Sequence, residues 1–182
     1  MIEILDDLDV LTRPDVDPHD LSLGGVRFGS KAADTVARDR VIEVTLSPIV
    51  HRRRGGTDLE SEYYGENGDR LSLETVVDNA VGGEGIVHFA GKFSCKIIEG
   101  TVIGFAMYGG ERGLLAHFGY LRSREEFLEV FGTPDLVEES IDCGELMGYR
   151  HFYRASEKQV FWDSWDDRVG WLNLGDFEGN TR

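Results

Sequence analysis

Apolar and polar positions alternate, or apolar residues run together, over residues 85–90, 92–98 and 101–108, the pattern of three adjacent β-strands. Glu99 and Gly100 separate the last two with the composition of a two-residue hairpin turn, so a meander is expected. Downstream, 149–154, 159–163 and 169–174 are rich in aromatic and β-branched residues and are separated by short polar connections at 155–158 and 164–167. Three further antiparallel strands follow.

Two stretches have helical spacing instead. Ser123 and Glu126 form a capping box, Phe127, Val130 and Phe131 make one apolar stripe, Gly132 stands at the expected left-handed cap, and Pro134 stops continuation. A short helix over 123–131 results. Ser30 is placed to open a second one, with Ala33, Val36, Ala37 and Val41 on its inner face, although no Glu or Gln stands three residues on and no glycine closes it. Gly24 and Gly25 suit a tight turn just before it.

Residues 1–22 carry Asp6, Asp7, Asp9, Asp15, Asp17 and Asp20 together with Pro14 and Pro18, which predicts an irregular acidic arm. Residues 23–182 are then one α+β domain, a curved antiparallel sheet with two short helices. Two similar half-units, 23–110 and 111–182, are suggested because Ser30 and Ser123 each follow a glycine-containing strand-like segment, open a helix and precede strands.

Composition narrows the classes of function. A length of 182 residues, 41% hydrophobic and with ten Phe, six Tyr and three Trp, supplies a core for one domain. The formal charge of −15 repels nucleic acid and anionic lipid and favours basic surfaces. His51-Arg52-Arg53-Arg54 is a local basic run, read as a solvated loop beside Gly55 and Gly56. No apolar run approaches the roughly 18 residues of a membrane span, and the first residues have no basic leader or signal-length apolar core. Cys95 and Cys143 fit neither a disulfide scaffold nor zinc spacing and are expected to be buried thiols of a cytoplasmic protein.

The segment 123–135, ending Phe131-Gly132-Thr133-Pro134-Asp135, is followed by Gly148-Tyr149-Arg150-His151-Phe152-Tyr153, by Val160-Phe161-Trp162-Asp163, and by a strand closing on Leu172-Asn173-Leu174. This third of the chain resembles a half-unit of small bacterial proteins. They include the β-lactamase-inhibitor-like fold, the small outer-membrane lipoprotein of the barrel-assembly machinery, and immunity-type proteins encoded beside polymorphic toxins. The resemblance implies a helix packed on a hairpin-rich sheet and a role in binding other proteins. The lipoprotein leader and the disulfides of the secreted inhibitors have no counterpart here, which leaves the cytosolic, immunity-type branch.

Chemical motifs do not point to an enzyme. His19, His51, His88, His117 and His151 stand in no metal-ligand spacing, though His88 and His117 lie in strand-like text and could meet across the sheet. No nucleophile elbow surrounds any serine, the glycines at 24, 25 and 29 lack a phosphate-binding lysine, and Asp163, Asp166 and Asp167 do not have the spacing of a calcium loop. No cofactor and no metal are expected. The segment from Phe161 to Arg168 is different: Trp162 and Trp165 stand among Asp163, Asp166 and Asp167, and tryptophan flanked by carboxylates suits recognition of a basic protein. Strand alternation buries at least one of the two indoles. The expected function is therefore a cytosolic bacterial immunity or inhibitor protein whose acidic, aromatic surface, Trp162, Asp163, Trp165, Asp166 and Asp167, binds a basic toxin or effector. The alternatives are a small hydrolase or transferase with a carboxylate site in a sheet-lined cleft, and a structural domain that self-associates through an exposed strand edge.

Overall fold

A computed structural model of the chain describes residues 1–47, 49–53, 61–90 and 92–176. In chain order, β1 (Ile2–Glu3) leads through two 3₁₀ turns to β2 (Leu21–Leu23) and β3 (Val26–Arg27), then α1 (Ala32–Thr35) and β4 (Val41–Thr45). Next come β5 (Val50–Arg53), β6 (Ser61–Tyr64), β7 (Arg70–Leu71), α2 (Leu73–Gly82), β8 (Gly85–Phe89), β9 (Phe93–Ile98) and β10 (Thr101–Tyr108). A 3₁₀ turn and α3 (Arg124–Phe131) precede β11 (Leu136–Asp142), β12 (Glu145–Tyr153), β13 (Lys158–Asp163) and β14 (Arg168–Gly175).

The main sheet has eight strands in the order β11-β12-β13-β14-β10-β9-β8-β4, with every neighbouring pair antiparallel. This is the expected α+β class with a curved antiparallel sheet. The meander β8–β10 with β4 on its outer edge forms one half and the meander β11–β14 the other, and the two meet where the last strand of each meander, β10 and β14, pair from Gly104↔Gly175 to Tyr108↔Trp171. Smaller three-stranded sheets, β1-β2-β3 and β5-β6-β7, lie apart from it.

Glycine sets the tight turns. Glu99 and Gly100 have φ of 51° and 66° between the paired Ile98 and Thr101, so both central residues are left-handed, as a two-residue turn matched to strand twist requires. Cys143 and Gly144, at 48° and 84°, repeat the device between β11 and β12.

Alternation along the strands builds one dry face. Val87, Cys95, Ile97, Phe105, Met107, Val160, Trp162, Leu172 and Leu174 are all buried. Against them pack α2, through Val76, Val77, Ala80 and Val81, and α3, through Phe127 and Phe131. The Ser123 hydroxyl accepts the Glu126 N–H at 3.2 Å, and the Glu126 carboxylate reaches back to the Arg122 N–H at 2.6 Å. Gly132 has φ 79° but ψ −178°, so it leaves the helix in a glycine-favouring conformation without continuing as left-handed helix.

Several expectations are corrected. The helix opened at Ser30 is one turn, Ala32–Thr35, and Val41 belongs to a strand; the Ser30 hydroxyl bonds Arg27 O and Thr35 Oγ1 instead of capping main-chain N–H groups. Helix α2 is a third helix beside the two expected, capped by Ser72, whose hydroxyl accepts the Thr75 N–H at 3.1 Å. The basic run is not a loop over its first three residues: His51, Arg52 and Arg53 lie in β5, paired with β6, because an alternating partner strand is present at 61–64. Arg54 lies outside the described residues.

The first 22 residues are tied into the core. Ile4, Val10, Leu11 and Leu21 are fully buried, and Glu3 accepts from Ser22 Oγ (2.9 Å) and from the Gly24 and Gly25 N–H groups (2.7 and 3.1 Å). Burial alone pushes the Glu3 carboxyl pKa up, but these donors together outweigh it and hold it below its ordinary value. At the other side, the buried Lys158 ammonium donates to Leu11 O at 2.7 Å and Arg13 O at 3.1 Å and sits 4.6 Å from the Tyr153 ring centre. Desolvation lowers its pKa to about 8. Among the described residues, no helix is long and apolar enough to cross a membrane.

Candidate functional site

The segment with the two tryptophans is the β13–β14 hairpin. Its register, Trp162↔Val169 and Asp163↔Arg168, turns Trp162 to the dry face, where it is 1% exposed and its ring lies 5.6 Å from that of Phe127. Trp162 is thus a core residue and leaves the proposed surface. Trp165 is the opposite case, 61% exposed at the tip of the turn.

The turn holds that indole in place. The Asp163 carboxylate accepts the Trp165 and Asp166 N–H groups at 3.0 and 3.3 Å, an Asx turn that fixes the loop from inside. Asp167 takes φ 46°, which short polar side chains tolerate, and returns the chain to β14. The indole Nε1–H donates to Leu146 O at 2.9 Å, and Ser164 N–H donates to Met147 O at 3.0 Å. Trp165 is therefore clamped to the neighbouring β11–β12 hairpin.

That neighbour completes the surface. Ile141 pairs with Leu146 and Asp142 with Glu145, and all four are exposed beside the Trp165 turn. The Trp165 turn and the β11–β12 turn thus stand side by side, with Ile141 and Leu146 paired on one face of their hairpin, Asp142 and Glu145 paired on the other, and Asp166 and Asp167 in the Trp165 turn itself. Asp166 is engaged by Arg168 at 2.5 Å, whereas Asp142, Glu145 and Asp167 have no side-chain partner among the described residues. Of the sequence-derived residues, Trp165 and Asp166 form this tip with Asp167, Asp163 shapes it, and Trp162 is elsewhere. Ile141, Leu146, Asp142 and Glu145 were missed; their signal was Cys143-Gly144, a turn pair placing two strand ends together. Cys143 itself is exposed, contrary to the expectation of two buried thiols, because a turn residue has no inner face. Cys95 is buried, and desolvation raises its thiol pKa.

No family model, curated protein or solved structure matches this chain.

The other side of the sheet carries Phe161 and Trp171, whose rings stack at 5.4 Å with 13° between planes. Gly148 and Gly170 leave room for them: an added Cβ at either would come within 2.8 Å of the Phe161 ring. Arg150 and Arg168 flank this stack in the register, and each buries an Nε that has no acceptor among the described residues.

Groups that could suggest catalysis are held in structural contacts. His88 and His117 do not meet: His88 bonds Ser94 Oγ at 2.7 Å and Thr45 Oγ1 at 3.1 Å across three strands, while His117 bonds Asp9 at 2.8 Å. Ser94 is 1% exposed, so its hydroxyl is closed to a substrate, and the depression beside it, about 510 Å³, is a broad open hollow. His151 is fully buried, accepting the Arg124 Nε–H at 3.2 Å and donating from Nδ1 to Val160 O at 3.3 Å. Desolvation lowers its pKa to about 4, so the imidazole is neutral. Among the described residues, no three His, Cys, Asp or Glu side chains come together as a metal site.

Proposed function

We propose that this chain is a protein-binding module of the immunity or inhibitor type, which docks on a basic protein through the Trp165 tip. One observation carries this reading: an indole 61% exposed, yet fixed by its own hydrogen bond to Leu146 O, stands among carboxylates in a chain of net charge −15. A large aromatic held rigid before binding loses little entropy on docking, and a carboxylate rim speeds encounter with a cationic partner. The partner is a basic toxin or effector in the bacterial cytoplasm, and occlusion of that protein is the activity.

The test compares the wild-type chain with the Trp165→Ala/Asp166→Ala variant as immobilised baits. A cationic protein retained by the wild type, released by high salt and absent from the variant is the expected result. Equal retention by both baits, or a captured protein indifferent to salt, would overturn the assignment of the tip. Both substitutions lie on an exposed turn, so folding is retained.

A further inference from the structure

The two outer strands of the main sheet are finished differently. At β4, the buried Tyr63 hydroxyl accepts the Val44 N–H at 2.9 Å, occupying a main-chain donor that β8 does not use. At β11, among the described residues only β12 pairs with the strand, and every residue of Leu136–Asp142 except Ser140 is exposed. A seven-residue edge with Leu136, Val137 and Ile141 exposed is a template for another strand. It carries no internal proline or lysine; three acids, Glu138, Glu139 and Asp142, and a bulge at Ser140/Ile141 guard it, and the acids guard it least against a basic strand.

Charge selects the occupant. Glu138 is engaged by Arg150 at 3.4 Å, whereas Glu139 and Asp142 have no side-chain partner among the described residues. A second copy laid antiparallel on β11 would bring six carboxylates, Glu138, Glu139 and Asp142 of each strand, into one seven-residue ladder with no cation on either strand, and like charges across a strand pair destabilise it. An extended segment bearing Lys or Arg meets the same carboxylates as counter-charges.

We propose that β11 receives an extended basic segment of the partner protein as a ninth strand, with cationic side chains on both of its faces, against Glu139 on one and against Asp142 and Glu145 on the other, and with one end beside Trp165. The main-chain ladder supplies affinity and the carboxylates supply selectivity. This rests on the partner being basic, and it adds the manner of docking.

The test is amide hydrogen exchange on the full chain with a blocked peptide of alternating Lys-Lys and Thr-Thr pairs, which puts lysine on both faces of the strand and is long enough to span β11, against its glutamate and threonine counterpart. The lysine peptide alone is expected to slow exchange within 136–142 by about tenfold. The exposed-site variant Glu139→Lys/Asp142→Lys is expected to weaken that binding by about tenfold or more. Binding that Trp165→Ala/Asp166→Ala abolishes, but with β11 amides unprotected, sinks strand addition and leaves the tip intact. No binding of the lysine peptide removes both. Protection of β11 that rises with protein concentration in the absence of peptide, with a dimer in sedimentation, makes a second copy the occupant and overturns the proposal.

Discussion

Mild acid should weaken this fold through His151. The imidazole is fully buried, its Nε2 accepts from Arg124 and its Nδ1–H is directed at Val160 O, so the folded state has room for one proton on the ring and not two. Its pKa falls from the ordinary 6.5 to about 4, first through desolvation, with the Arg124 charge acting in the same direction. The unfolded chain therefore takes up a proton near pH 6.5 that the folded chain refuses until near pH 4. Below 6.5 the unfolded state binds more protons, and stability is lost as pH falls. At about 1.36 kcal/mol per unit the complete loss is about 3.4 kcal/mol, of which about 2 kcal/mol is gone by pH 5. Urea unfolding between pH 7.5 and 5 measures this directly, and His151→Phe supplies the reference. At pH 7.5 the variant should be less stable by about 1–2 kcal/mol, since Arg124 Nε and Val160 O lose a partner. By pH 5 the two should converge or cross, because Phe has no proton to take. A difference that stays constant across this range refutes the reasoning, as does a His151 ring titration in the wild type with its midpoint at 6.5 or above.

Other expectations follow from the same packing and hydrogen bonds. Glu3→Gln should destabilise by about 1 kcal/mol at pH 7, low in the range for charged hydrogen bonds because the group is partly exposed, and the deficit should shrink as pH falls through the carboxylate range; urea curves at two pH values test both parts. Gly148→Ala should prevent stable folding or remove about 3 kcal/mol or more, since the new methyl meets Trp162 O and lies 2.7 Å from the Phe161 ring; loss of the near-ultraviolet circular dichroism of the packed aromatics reports it. A disulfide reagent should titrate one thiol rapidly in the native chain, Cys143, and a second, Cys95, only in denaturant; two fast native thiols would contradict the packing of β9.

How much of this was legible depends on what each segment faces. Helix α3 was readable because cap, stripe and stop agree within a dozen residues, and the hairpins were readable because Glu99-Gly100 admits few conformations. Helix α2 has comparable signals, Ser72 before Val76, Val77, Ala80 and Val81, then Gly82-Gly83, but this apolar stripe is short and lies directly before the stronger strand text at 85–90. Strand β11 hid for a different reason: an outer strand exposed on most sides has no alternation to show. At the candidate site, period-two alternation required one of Trp162 and Trp165 to be inside. The choice followed from phase and length: β13 buries Lys158, Val160 and Trp162 in turn and ends at Asp163, which leaves Trp165 in the connection.

The seam between β10 and β14 has a consequence for how the protein is made. The strand at the centre of the sheet is the last one synthesised among those described, so the first meander leaves the ribosome with one edge of β10 bare. Until residues 168–175 arrive, the halves share no main-chain bonds in the large sheet and are joined by packing and by side-chain bonds such as those from Lys158 to Leu11 O and from His117 to Asp9. A stall or nick upstream of β14 would therefore release a species in which β10, paired to β9 on one side, has its other, apolar edge open and ready to join another nascent chain.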